Sequence, residues 1–161
     1  MKEKSKYDKI LKRFTVVMVI ICIVVVGYLY YWTKQIEENS ARSVGLASFG
    51  HKENNTTYSL YVTVDTGAGV PMSYYKVRLH NETTTIIPST ALRNGEIATV
   101  KDNNITIKLS FNAIQKENRL SYNDRFILAF SIVPPIGLKY TLEILYSNDN
   151  TILTSGSIIT H

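Results

Sequence analysis

An uninterrupted apolar run, Phe14 to Trp32 (FTVVMVIICIVVVGYLYYW), constrains this chain more than any other stretch. It is bounded by Arg13 on one side and Lys34 on the other. At about 1.5 Å of rise per helical residue, roughly twenty uncharged residues reach about 30 Å, the thickness of a bilayer's hydrocarbon core. A buried helix of a globular core is normally shorter and keeps a polar stripe, whereas this run has no charge on any side. The run predicts one membrane crossing. It ends in Tyr28, Tyr30, Tyr31 and Trp32, rings suited to a membrane interface and unlike the small residues of a cleavable signal, so a retained anchor is expected. Cys22, the single cysteine, lies inside the run. It excludes an intrachain disulfide and leaves the rest of the chain to be stabilised by burial.

Residues 1–13 (MKEKSKYDKILKR) hold six basic and two acidic residues, +4 of the chain's net +5. The basic balance therefore belongs to the head and leaves no cationic stripe elsewhere to follow a phosphate backbone, which argues against nucleic acid as a partner. A Lys/Arg cluster of this kind stays cytoplasmic, placing the remainder outside. The expected organisation is a cytoplasmic head (1–13), a membrane helix (14–32), a polar stalk that continues it (33–43) and one extracytoplasmic domain (44–161).

The outer part alternates with period two. Tyr58, Leu60, Val62 and Val64 share one face; Ile105, Ile107, Leu109 and Phe111 form a second file; Phe126, Leu128, Phe130 and Ile132 a third; Leu138, Tyr140, Leu142, Ile144 and Tyr146 a fourth. Weaker strands are expected at Val44–Phe49, Tyr74–His80, Thr84–Ile87, Glu96–Lys101 and Thr151–Thr160. Turn chemistry separates these stretches: Gly67, Gly69 and Pro71; Asn94 and Gly95; Asp102 and Asn103; Asn123 and Asp124; Pro134, Pro135 and Gly137; Asn148 to Asn150. The expected fold class is all-β after a single N-terminal transmembrane helix, an antiparallel immunoglobulin-like sandwich of about eight strands.

Two stretches carry a family resemblance. SLYVTVDTGAGVPMSYYKVRLHN, a strand, a Gly-rich break, a proline and a second strand, resembles the first hairpin of archaellin-type β-sandwiches. LSYNDRFILAFSIVPPIGLKYTLEILYSNDNTILTSGSI is similar to their C-terminal pair. Size, one N-terminal span and one sandwich resemble the accessory F protein family of the archaellum, the archaeal flagellum, with the G family next. The resemblance implies a static, stator-type component in the pseudo-periplasm, binding the surface-layer protein and archaellum subunits. In pilin and archaellin precursors a small residue, usually glycine, separates the basic head from the apolar run, whereas here Arg13 meets Phe14 directly. Retention of the head is therefore expected, and six basic groups would be costly to bury in a filament core. A minor pilin-like subunit and a ligand-binding or sensory ectodomain, conceivably a hydrolase subunit, remain as alternatives.

No catalytic constellation, metal-ligand spacing or cofactor motif is expected. His51, His80 and His161 lie on separate segments without metal-ligand spacing. Asp102, Asp124 and Asp149 sit in turns where a carboxylate caps the backbone, and Gly67, Ala68 and Gly69 are not followed by a phosphate-loop lysine. Four sequons, at Asn54, Asn55, Asn81 and Asn104, fall at expected turns and are candidate glycosylation sites. The stretch Thr83–Pro88 breaks the alternation: Ile86 and Ile87 are adjacent, so in a regular strand one of them faces outward. Pro88 suits an edge strand. Ile86 and Ile87 are thus the expected self-association or partner interface, most simply a homodimer across a two-fold axis.

Overall fold

The structure, a computed structural model, describes residues 2–64, 70–82, 84–102, 104–114 and 119–161. Gly67, Ala68, Gly69, Thr83 and Asn103, singled out above, lie outside the described residues.

Helix α1 spans Lys2–Ala41, forty residues, so head, apolar run and most of the stalk are one helix. Leucine, isoleucine, valine and glutamate sustain it, with no proline to interrupt the ladder. Thr15 and Thr33 hydroxyls donate to the carbonyls of Leu11 and Leu29, four residues back, which satisfies them where no water need be present. Every residue from Leu11 to Ile36 is exposed, and Leu11–Ala41 is long and apolar enough to cross a membrane by length and composition. The chain divides into two compact units at Glu37/Glu38. The last helical turn belongs to the second unit, where Ala41 is fully buried.

That second unit is mostly strand. A five-stranded sheet runs in the order β1 (His51–Asn54), β2 (Thr57–Tyr61), β9 (Arg125–Phe130), β7 (Ile105–Asn112), β6 (Ile97–Asp102). A four-stranded sheet runs β11 (Ile152–Ile159), β10 (Lys139–Tyr146), β4 (Tyr75–Asn81), β5 (Thr85–Thr90), and β3 (Val70–Pro71) pairs with β8 (Arg119–Leu120) in a short third. All strand pairings within the three sheets are antiparallel. The expected files turn inward: Ile105, Ile107, Leu109 and Phe111 are all buried, as are Phe126, Leu128 and Phe130 on β9 and Tyr140, Leu142, Ile144 and Tyr146 on β10. The two larger sheets meet across one core, where the rings of Phe130 and Tyr140 lie 5.2 Å apart. Each such aliphatic or aromatic side chain contributes about 1.5–3 kcal/mol of burial. Ile132 and Leu138, expected to extend their files, lie outside the strands and are exposed.

Val44–Phe49 forms isolated bridges rather than a continuous strand, because it changes partners midway. Ala47 N donates to Tyr61 O (2.8 Å) on one sheet, then Ser157 N donates to Ser48 O (3.0 Å) and Gly50 N to Ser157 O (2.7 Å) on the other. The crossover runs so close to β11 that a Cβ on Gly156 would stand 2.4 Å from the Ala47 carbonyl oxygen. Only glycine allows that approach.

The edge position of β5 agrees with the reading of Pro88, but the expectation that one isoleucine faces outward is corrected. Ile86 is 8% exposed and Ile87 4%. Leu79 pairs with Ile87 and His80 with Thr85, so Ile86 is an extra residue in a β-bulge. At a bulge the strict alternation lapses, and both side chains enter the core. A second irregularity, between the pairs Val77 with Thr90 and Leu79 with Ile87, accommodates Pro88.

Candidate interaction end of the β unit

Strand directions give the β unit two unlike ends. The proximal end receives the chain from Glu38 to Val44. There the Arg42 guanidinium lies 4.6 Å over the Tyr146 ring and 3.5 Å from Asp149, while Tyr74 stacks on Tyr146 at 6.3 Å. Two Thr151 hydrogen bonds and then Arg42 hold the Asp149 carboxyl below its usual range. Asp124, fully buried, accepts Ser121 N (2.7 Å) and Ile114 N (2.8 Å), and Asp149 accepts Thr151 N (2.9 Å). These two aspartates cap turns as their sequence context suggested.

The distal end gathers the β1–β2 turn, the β4–β5 turn, the β6–β7 turn, the β9–β10 loop and the C-terminus. Its parts are tied together: Ser131 N donates to Thr106 O, Thr106 N to Ser131 Oγ, Gly137 N to Thr160 O and Phe130 N to Thr56 O, all at 2.8–2.9 Å. Lys52 Nζ donates to the His161 carbonyl. Gly137, at φ +88°, turns the β9–β10 loop in a conformation other residues adopt only under strain. The loop anchors itself on buried Pro134 yet leaves Ile132, Val133 and Ile136 at 54%, 62% and 84% exposure. Three exposed apolar side chains within five residues of one hydrogen-bonded loop are the kind of feature that marks a contact site.

On the outer face of the four-stranded sheet, Arg78 and Glu143 stand directly opposite in register and pair at 2.5–2.6 Å. His80 Nε2 lies 3.3 Å from the other carboxylate oxygen. These groups floor a shallow concavity of about 330 Å³ with Asn81, Glu82 and Thr84. Glu143 is engaged on both oxygens, so the cluster acts as a cross-strand clamp. Sequence reading missed it, because only the register brings position 78 opposite 143. His51 and His161 are exposed and stand apart from His80, and among the described residues no three His, Cys, Asp or Glu side chains are placed to hold a metal.

The four sequon asparagines all fall at the distal end. Asn54, Asn55 and Asn104 are exposed and Asn81 is half-buried. Ile86 and Ile87 lie beyond the neighbouring turn, inside the core. Compared with family models, curated proteins and solved structures, the chain matches none of them.

Proposed function

We propose that this chain is a single-pass membrane protein whose extracytoplasmic β unit, an immunoglobulin-like sandwich, is a non-catalytic contact module. In this reading the head stays in the cytoplasm, the apolar run of α1 anchors the chain, and the distal end of the β unit holds an external partner. The resemblance to the archaellum accessory F family names that role: a structural, stator-type component that binds the surface-layer protein and archaellum subunits.

The observation that carries the reading is the exposed apolar loop of Ile132, Val133 and Ile136, at the end of the β unit away from where the chain enters. Burying these three side chains against a partner removes apolar surface from water at about 25 cal/mol per Å². The test is a Val133→Asp, Ile136→Asp double variant in cells that carry the archaellum. It should reach wild-type levels in the membrane, because both residues lie outside the core, while swimming and co-purification with the surface layer fall. A variant that swims and co-purifies like wild type overturns the assignment.

A further inference from the structure

The β1–β2 hairpin turns through Asn54-Asn55-Thr56-Thr57, two overlapping Asn-x-Thr sequons. Within it, Asn54 Oδ1 accepts both Thr56 N (2.9 Å) and Thr56 Oγ1 (3.1 Å). This Asx turn sets the asparagine amide and the hydroxyl two residues on against each other, on one side of the backbone. An enzyme that recognises Asn-x-Thr must read that hydroxyl and reach that amide together, and here the pair is already assembled. Asn54 is exposed, its side-chain nitrogen has no hydrogen-bond partner among the described residues, and it ends an edge strand with no strand outside it.

Among the described residues, the sequons at Asn55 and Asn104 lack this arrangement, and Thr83 of the Asn81 sequon lies outside them. Asn55 has no bond to Thr57, which is half-buried in β2 between β1 and β9. Asn81 is half-buried and its Oδ1 accepts Thr84 N and Oγ1, one residue past the sequon position. Asn104 sits at φ +70°, with Thr106 already in the β7 ladder.

We infer that Asn54 is an N-glycosylation site, modified from a lipid-linked oligosaccharide. This rests on the extracytoplasmic placement proposed above. In the transfer, Asn54 Nδ2 bonds to the anomeric carbon of the first sugar. The bond from that carbon to the lipid phosphate oxygen breaks, the lipid phosphate leaves with the electron pair, and one amide proton passes to a base. The glycan then stands at the distal end, on a turn that Phe130 N fastens to β9 through the Thr56 carbonyl.

The overlap of the two sequons supplies its own controls. Full-length protein purified from membranes of its own cells is digested, and the peptide carrying Asn54 is weighed. It should bear a hexose- or hexosamine-containing increment that is lost in Asn54→Gln and in Thr56→Ala, which leaves the Asn55 sequon intact. Thr57→Ala, which destroys only the Asn55 sequon, should keep it. An unmodified wild-type peptide overturns the inference, as does an increment that survives Thr56→Ala and disappears in Thr57→Ala. External protease on right-side-out vesicles from the same cells separates the two readings: an unmodified but digestible β unit refutes the glycan alone, and a protected β unit refutes the placement as well.

Discussion

Asp124 shows how much rests on one carboxylate. Fully buried, it accepts the backbone N–H groups of Ser121 and Ile114, and its own carbonyl accepts Val62 N at 2.8 Å. Asp124→Ala strands one buried donor, Ser121 N, at roughly 1–3 kcal/mol, and one half-buried donor, Ile114 N, at less. Asp124→Asn keeps one acceptor oxygen and should lose about half as much. Chemical unfolding of the full chain in detergent checks the ranking Asp, Asn, Ala, and equal stability of the alanine variant removes the cap from the account. Tyrosines give a second test. Burial, with Tyr146 nearby, pushes the Tyr75 hydroxyl far above its usual value, and burial with Asp102 nearby raises Tyr140. A raised pKa contributes stability that is complete below the unfolded value near 10 and is lost as pH rises through the folded value. Absorbance titration should therefore show a late class among the eleven tyrosines, ionising together with unfolding above about pH 10. Removing Tyr75 as Tyr75→Phe should shrink that class without destabilising the core, since its hydroxyl has no partner among the described residues. If all eleven titrate as one exposed class, the burial is wrong.

Among the elements, β7 was legible from its residues and β5 was not. Ile105, Ile107, Leu109 and Phe111 alternate without interruption, so period two alone places all four inside. Thr85–Thr90 carries two irregularities in its pairing, and a bulge is a count of residues on one strand against another. Nothing local to Ile86 and Ile87 states that count. The same limit hid the Arg78–Glu143 clamp and the partner change of Val44–Phe49, each of which depends on a chain segment far away in sequence. Turns fared better, because Asn104, Asn123 and Asn150 take positive φ by their own chemistry. With Ile87 inside the core rather than at an exposed edge, Ile87→Lys buries an ammonium and should destabilise by more than about 3 kcal/mol. Ile97→Lys, on the opposite sheet's edge strand β6 where Ile97 is 60% exposed, should shift stability by no more than about 0.5 kcal/mol. Thermal unfolding of both variants decides it, and comparable losses would mean that the burial of β5 is misplaced.

At the scale of the whole molecule, the six basic residues of the head and the apolar run that follows are the features from which a direction of insertion can be argued. On the other flank, the first twenty residues after Trp32 carry Lys34, Arg42 and Lys52. The Lys/Arg excess on the side that remains in the cytoplasm sets orientation, counted over the short flanks of a span. Six against three therefore favours an inside head and an outside β unit, although the β unit is the larger piece to translocate. Trypsin added to right-side-out vesicles should digest the β unit's loops and leave a fragment containing the head and the apolar run. Replacing Lys2, Lys4, Lys6, Lys9, Lys12 and Arg13 with glutamine leaves none against three and should shift a measurable fraction of the chains to a protected β unit. The Phe14–Trp32 run is untouched by that change, so total membrane insertion should stay constant while orientation becomes mixed. A wild-type β unit that resists trypsin until the vesicles are opened refutes the proposed orientation. An accessible wild-type β unit whose exposure is unaltered by the six substitutions would leave the orientation standing and remove the head charge as its cause.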